Sequence, residues 1–505
     1  MNQRKMGTVL SYLHILLSNT ISIIYTPYML RMMGQSEYGL FGTANSFISY
    51  LSILSFGIGG AYIRFNARCR AAGDREGEKQ LNGMFLTVFS FLSILVLIGG
   101  VGCIVLAEEL VEESFTASEL YKLRIILMIL VFNMMITFIC NVVMMALQAY
   151  EKYIVLRIVS LISCIVTPVA NVIALRMGGR AVAITAISLA ISVACYLFYF
   201  FYARKTIKME FSFRGFRKDV LKEIFIFSGF LFLNSITDQI TFSTDNIVLS
   251  ALKGTGAVAV YTVGSNFKNY FQQFSSAVSS VFAPSVNMIV ARNEGNKALD
   301  EIFIRVGRVQ FYVVSLVLIG YLSIGRDFVR LWAGENYGDA FYIGLMLMLS
   351  VFVPAFQNVG LEIQKAKNMH KARSVVYFLI ALANVALTIP FAKWWGGIGA
   401  ALATMATTFF GYVVFMNYYY GKHIGLDIPG FWKSIASILP GYLLPVAVGF
   451  WINRCWILDS FADILGAAAV ISIAFAASVW KFSMNDYEKN MVRGPVQTII
   501  SRRKR

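Results

Sequence analysis

Leu30 to Tyr50 reads LRMMGQSEYGLFGTANSFISY, and 220 residues later Ser250 to Tyr270 reads SALKGTGAVAVYTVGSNFKNY. Overlaid, they place Gly34 on Gly254, Phe41 on Tyr261, Phe47 on Phe267 and Tyr50 on Tyr270. At an offset of 218, Gly178, Gly179, Phe201, Tyr202 and Arg204 fall on Gly396, Gly397, Tyr419, Tyr420 and Lys422. At 216, Gln148 and Arg157 fall on Gln364 and Arg373. Glycines and aromatics are common in membrane helices, so each match alone is weak. Three in order at nearly one spacing point to an internal duplication.

What is duplicated follows from composition. The 505 residues are 58% hydrophobic and only 14% charged, which excludes disorder and argues against a soluble multidomain enzyme. Apolar runs such as Val88 to Ala107, Ile154 to Leu175, Val306 to Ile324 and Ile464 to Trp480 are each long enough to cross a ~30 Å hydrocarbon core. About fourteen such spans can be placed, which makes the chain an all-α polytopic membrane protein. Six spans form each copy, so the expected lobes are residues 1–210 and 211–425, with spans 13 and 14 and a basic tail added in 426–505. Because six is even, the two copies share one orientation, an arrangement of transporters that bind cargo near the midplane between lobes.

Charge gives the orientation. Of 44 Lys and Arg residues, 33 fall in the N-terminus, the tail and alternate loops such as 204–222 and 292–308. The positive-inside rule then places both termini in the cytoplasm. It also explains the net charge of +17 without nucleic acid, since the basic residues are spread over many segments rather than gathered on one face. The first apolar run is too long for a signal-peptide core and reads as retained. The six cysteines form no close-spaced pair, which argues against a disulfide framework or a metal site. No G-x-x-x-x-G-K-[ST] loop, H-E-x-x-H or nucleophile elbow occurs, so neither direct ATP drive nor these enzyme chemistries are expected.

Polar residues inside the spans are the candidates for function. In FLNSITDQITFSTDNIVL, Phe232 to Leu249, the residues Asn234, Asp238, Thr241 and Asp245 fall within about 60° on a helix. Tyr261, Ser265, Lys268, Gln272, Ser275 and Ser279 line the next span within about 80°. The first two spans carry a milder version, His14, Ser18 and Tyr25 facing Tyr38, Asn45, Ser49 and Ser52. Hydroxyl members of such stripes can serve purely as interhelical hydrogen bonds. Carboxylates and ammonium groups are costly in hydrocarbon, so Asp238, Asp245 and Lys268 are expected to face water or one another and to act in transport. Arg64, which opens RFNARCR, is placed either to meet an anionic headgroup or to snorkel.

These residues also resemble a family. MLRMMGQSEYGLFGTANSFISYLSILSFGIGGAYIRF (Met29 to Phe65) is similar to the first span pair of bacterial polysaccharide and O-antigen flippases. STDNIVLSALKGTGAVAVYTVGSNF with the later VFAPSV (Ser243 to Val286) resembles the start of their second lobe. Those flippases belong to the multidrug/oligosaccharidyl-lipid/polysaccharide (MOP) exporter superfamily. The resemblance implies a non-enzymatic transporter of the inner membrane that moves a polyprenyl-pyrophosphate-linked oligosaccharide between leaflets by alternating access. Arg64 and Lys268 would receive the pyrophosphate, and side chains such as Tyr261, Asn45, Asn234 and Gln272 the sugars. Drive would come from membrane potential or from H+ or Na+ coupling through the aspartates. Other polysaccharide assembly proteins are candidate partners. Two rivals stand beside it: an ion-coupled multidrug antiporter of the same superfamily, which usually has twelve spans, and a glycan polymerase or ligase, which needs a large outer loop not seen here.

Overall fold

The computed structural model describes residues 3–55, 58–215, 218–367, 369, 371–491 and 493, with the side chains of 4, 5, 8, 12, 218–234, 277, 280, 281, 283 and 371 outside that description. It is 90% helical, with no strand among the described residues. Twelve continuous helical stretches in the described residues are long and apolar enough to cross a membrane. Two of them are double. Ser235–Ser276 is interrupted at Gly254 and Ala372–Ile424 at Gly396, where φ is 78° and 59°, left-handed backbone that an L side chain rarely adopts. Divided there, the described residues give the expected fourteen spans.

The interruptions bear on the repeat. Gly34, at the N-terminus of α2 (Gln35–Leu51), has φ 82°, and its counterpart Gly254 has φ 78°. Gly178 has φ 86°, and its counterpart Gly396 has φ 59°. In each pair a glycine turns the chain between two spans where a Cβ would be strained.

Contact density divides the chain into two compact units: residues 1–262 with 385–397, and residues 263–384 with 398–505. The first contains α1 (Gln3–Met33), α2, α3 (Gly59–Ala71), α4 (Arg75–Val111), α5 (Ala117–Ala149), α6 (Tyr153–Arg176), α7 (Ala181–Thr206) and the first part of α8 (Lys218–Ala291). In it α4 packs on α5, α1 on α6 and α5 on α7. Lipid is as apolar as leucine, so packing rather than a hydrophobic force holds such helices together. Tyr62, Phe85, Phe89 and Val142 fill its core, the ring of Tyr62 lying edge-on to Phe85 at 5.0 Å. Glycines let backbones approach: a Cβ on Gly39 of α2 would collide with the Thr255 carbonyl of α8.

The second unit is centred on α9 (Asn296–Ala333). Against it pack α10 (Asp339–Phe356), α11 (Asn358–Ala366), α14 (Ile428–Ala436), α15 (Leu443–Cys455) and α16 (Phe461–Phe482). Phe303, Phe311, Phe356 and Phe431 form an aromatic core, with Phe303 stacked on Phe431 at 4.5 Å. Arg308, counted in the sequence among the basic residues of 292–308, is buried here. It is 8% exposed, and its guanidinium donates to both carboxylate oxygens of Glu488, at 2.5 and 3.0 Å.

Candidate functional site

The first unit contains a polar layer inside apolar helices. Asp245 on α8 is 1% exposed, and the hydroxyl of Tyr261 donates to its Oδ2. Thr388, from α12 (Lys371–Thr408), donates to Oδ1 at 3.1 Å. Gly254 explains how Asp245 and Tyr261 meet: the chain reverses there, nine residues after Asp245 and seven before Tyr261, so both lie at a similar depth. Tyr50 of α2 bonds Thr244, and the amide of Asn246 donates to the Ser46 hydroxyl at 3.0 Å. The layer thus joins α2, the two arms of α8 on either side of Gly254, and α12.

Its energetics are those of a buried charge-bearing group. A carboxylate at the centre of a bilayer costs ~3 kcal/mol or more unless it is paired or solvated. Bonds from hydroxyls to a carboxylate are charge-assisted and about twice as strong as neutral ones, so two donors offset much of that cost.

Of the residues singled out in the sequence, Asp245 and Tyr261 are brought together. Asp238 lies exposed on the same helix, and the side chain of Asn234 is outside the described residues. Lys268 is 5% exposed and Gln272 half-buried, both on the part of α8 that belongs to the second unit. There Ser275 bonds the Ala355 carbonyl and Ser279 accepts from Asn358 at 3.0 Å, so these two hydroxyls tie helices together. Asn45 is exposed, its amide turned back on the Phe41 carbonyl at 2.7 Å. Arg64 is exposed and lies 5.1 Å over the Phe65 ring, with Arg68 at 5.4 Å from the same ring. His14 is half-buried on α1. Among the described residues no cluster of His, Cys, Asp or Glu could hold a metal ion.

Several polar groups escaped the sequence reading. Thr388 is one of many threonines in apolar runs, and nothing local marks it as the partner of a residue 143 positions away. A second network sits at the basic end of the first unit. The hydroxyl of Tyr62 donates to Asn82 at 2.6 Å, the amide of Asn66 to Glu78 at 3.2 Å, and the hydroxyl of Tyr150 to Glu78 at 3.0 Å. Arg70 lies 4.0 Å over the Tyr150 ring. Tyr150 occupies the turn between α5 and α6, where burial, followed by its bond to Glu78, pushes the phenol up to about 12.

Comparisons with known proteins agree with this architecture. A family model described as polysaccharide biosynthesis protein matches residues 5–290. The uncharacterized membrane protein EpsK of Bacillus subtilis (strain 168) is 21% identical over 506 residues, which span 94% of this chain and 95% of that protein. Among solved structures, the lipid II flippase MurJ in an inward closed conformation superposes with a TM-score of 0.66 at 16% identity, covering 94% of this chain and 99% of that one. An inward-facing multidrug resistance MATE family transporter of the MOP superfamily gives 0.55 at 16% identity, covering 83% and 99%. At such identities the structural likenesses speak for the fold.

Proposed function

Because the chain belongs to the polysaccharide biosynthesis protein family, we propose that this multi-pass membrane protein flips a polyprenyl-pyrophosphate-linked oligosaccharide from the cytoplasmic to the outer leaflet of a bacterial inner membrane. The family match over more than half of the chain is the observation that carries the reading. The chemistry inside the spans is compatible with it. Asp245 and Lys268 are both buried, and the hydroxyls of Tyr261 and Thr388 donate to Asp245. Side chains of that kind suit a cargo with an anionic head and sugar hydroxyls, while its lipid tail stays in the bilayer. In this reading the repeated lobes, 1–210 and 211–425, alternate access, and residues 426–505 are an addition. Lys268 and Arg64 receive the pyrophosphate, Tyr261 and Gln272 serve the sugars, and Asp238 and Asp245 couple movement to an ion or to the membrane potential. The reaction is vectorial and makes or breaks no covalent bond.

The fold shared with a MATE family transporter favours one second reading, an ion-coupled antiporter for small organic cations that uses the same buried carboxylate. Deletion of the gene separates the two. Accumulation of a polyprenyl-linked oligosaccharide facing the cytoplasm, with loss of surface polysaccharide, supports the flippase. Normal polysaccharide with raised drug sensitivity supports the antiporter.

A further inference from the structure

A cavity lies apart from the polar layer, at the end of the first unit where α7 makes its last turn. Its volume is about 730 Å³. Arg204, Lys208, Leu86, Phe200, Met209, Glu210 and Phe211 line it. Its construction starts with the chain leaving α7. Lys208 takes φ 50°, uncommon for a lysine, and the following residues run back along α4. The Ser212 amide donates to the Lys79 carbonyl at 2.9 Å, and the Asn82 amide to the Glu210 carbonyl at 2.9 Å, which fixes Met209 and Phe211 against α4.

The charges divide into satisfied and unsatisfied groups. Glu210, the one carboxylate lining this cavity, is held by Lys79 at 2.5 Å, and that ammonium keeps its carboxyl below the usual range. Arg204 and Lys208 are exposed, with no hydrogen bond or ion pair among the described residues. A smaller cavity of about 350 Å³ adjoins, sharing Lys208, Met209 and Glu210 and adding the charged Arg75, Glu78 and Lys79. Phe200 of the cavity lining and its neighbour Phe201 on α7 are 36% and 65% exposed, apolar surface suited to acyl chains.

We propose that this cavity binds an anionic phospholipid of the surrounding leaflet, its phosphate between Arg204 and Lys208 and the start of an acyl chain along Leu86, Phe200 and Phe211. Two cations without a partner among the described residues, in one cavity with Leu86, Phe200, Met209 and Phe211, complement such a molecule in charge and in polarity. A zwitterionic lipid lacks the net charge, and a soluble phosphate lacks the chain.

The test uses the full-length protein reconstituted in nanodiscs of mixed phosphatidylglycerol and phosphatidylcholine, with retained lipid read by native mass spectrometry after transfer to detergent. Phosphatidylglycerol is expected to stay bound to the parent. In the Arg204→Gln, Lys208→Gln variant its retention should fall about twenty-fivefold, about fivefold for each cation. Lys393→Gln, which removes an exposed cation near the opposite end of a span, should retain it like the parent, and matching unfolding temperatures in phosphatidylcholine would show that the double variant folds. Equal retention by parent and double variant, equal retention of the two lipids, or displacement by equimolar undecaprenyl phosphate would overturn the proposal.

Discussion

Asp245 shows what one residue demands of its surroundings. Tyr261→Phe or Thr388→Val removes a donor from a buried carboxylate, at a cost of about 1–3 kcal/mol. Each should lower the unfolding midpoint of the detergent-solubilised protein. Asp245→Asn keeps the shape and removes the charge, so it should abolish export in a complementation assay while leaving the fold intact. The three form a coupled set, and the penalty for Tyr261→Phe should largely vanish in the Asp245→Asn background. Additive penalties would show that the hydroxyl does not serve the carboxylate. Tyr150 gives a pH test outside the spans. Its folded pKa is raised from 10.0 to about 12, so the neutral phenol contributes stability that is present below pH 10 and is lost as pH rises through 12. Unfolding midpoints should therefore fall less steeply across that interval for Tyr150→Phe than for the parent.

At the scale of elements, the second unit is locked where its helices end. Besides Glu488, Arg308 donates to the Ser483 carbonyl at 3.0 Å and the Ser434 carbonyl at 3.2 Å, so one side chain on α9 holds α14 and the chain after α16. Removing one partner of a buried pair costs about 3–5 kcal/mol because the other charge is left unpaired. Arg308→Ala should accordingly lower the unfolding midpoint strongly and open the segment around Glu488 to protease. Arg308→Lys should rescue only in part, having a charge but no planar fork. A protease pattern unchanged in Arg308→Ala would disprove the lock. This lock was not legible in the sequence: Arg308 and Glu488 are 180 residues apart, and a lone arginine beside an apolar run reads as a topology signal. The spans were legible because length and hydropathy are local properties; Gly34 with Gly254 and Gly178 with Gly396 stood out only as repeat matches, and the positive φ that makes them turns came from the structure. Asp245 could be picked out for the cost of its charge. Thr388, uncharged and at home in a helix, could not.

For the whole molecule the question is which face each loop occupies. The orientation expected from the sequence sets 33 basic residues on one side against 10 on the other, with Lys268 within a span, and its inverse would be costly, since cytoplasmic retention of Lys and Arg near span ends orients helices during insertion. Two native cysteines test it without new residues. Cys69 lies at the end of α3, in the segment assigned to the cytoplasm, and Cys455 is exposed at the end of α15, in a loop assigned to the outside. In intact spheroplasts a membrane-impermeant maleimide should label Cys455 and spare Cys69. After permeabilisation Cys69 should react as well. Cys455→Ser and Cys69→Ser assign each signal, and a folded fluorescent protein fused after Arg505 should fluoresce, as it does only in the cytoplasm. Labelling of Cys69 first would invert the topology. It would also place Arg204 and Lys208 in the outer leaflet, so the same experiment tells which leaflet supplies the lipid proposed for their cavity.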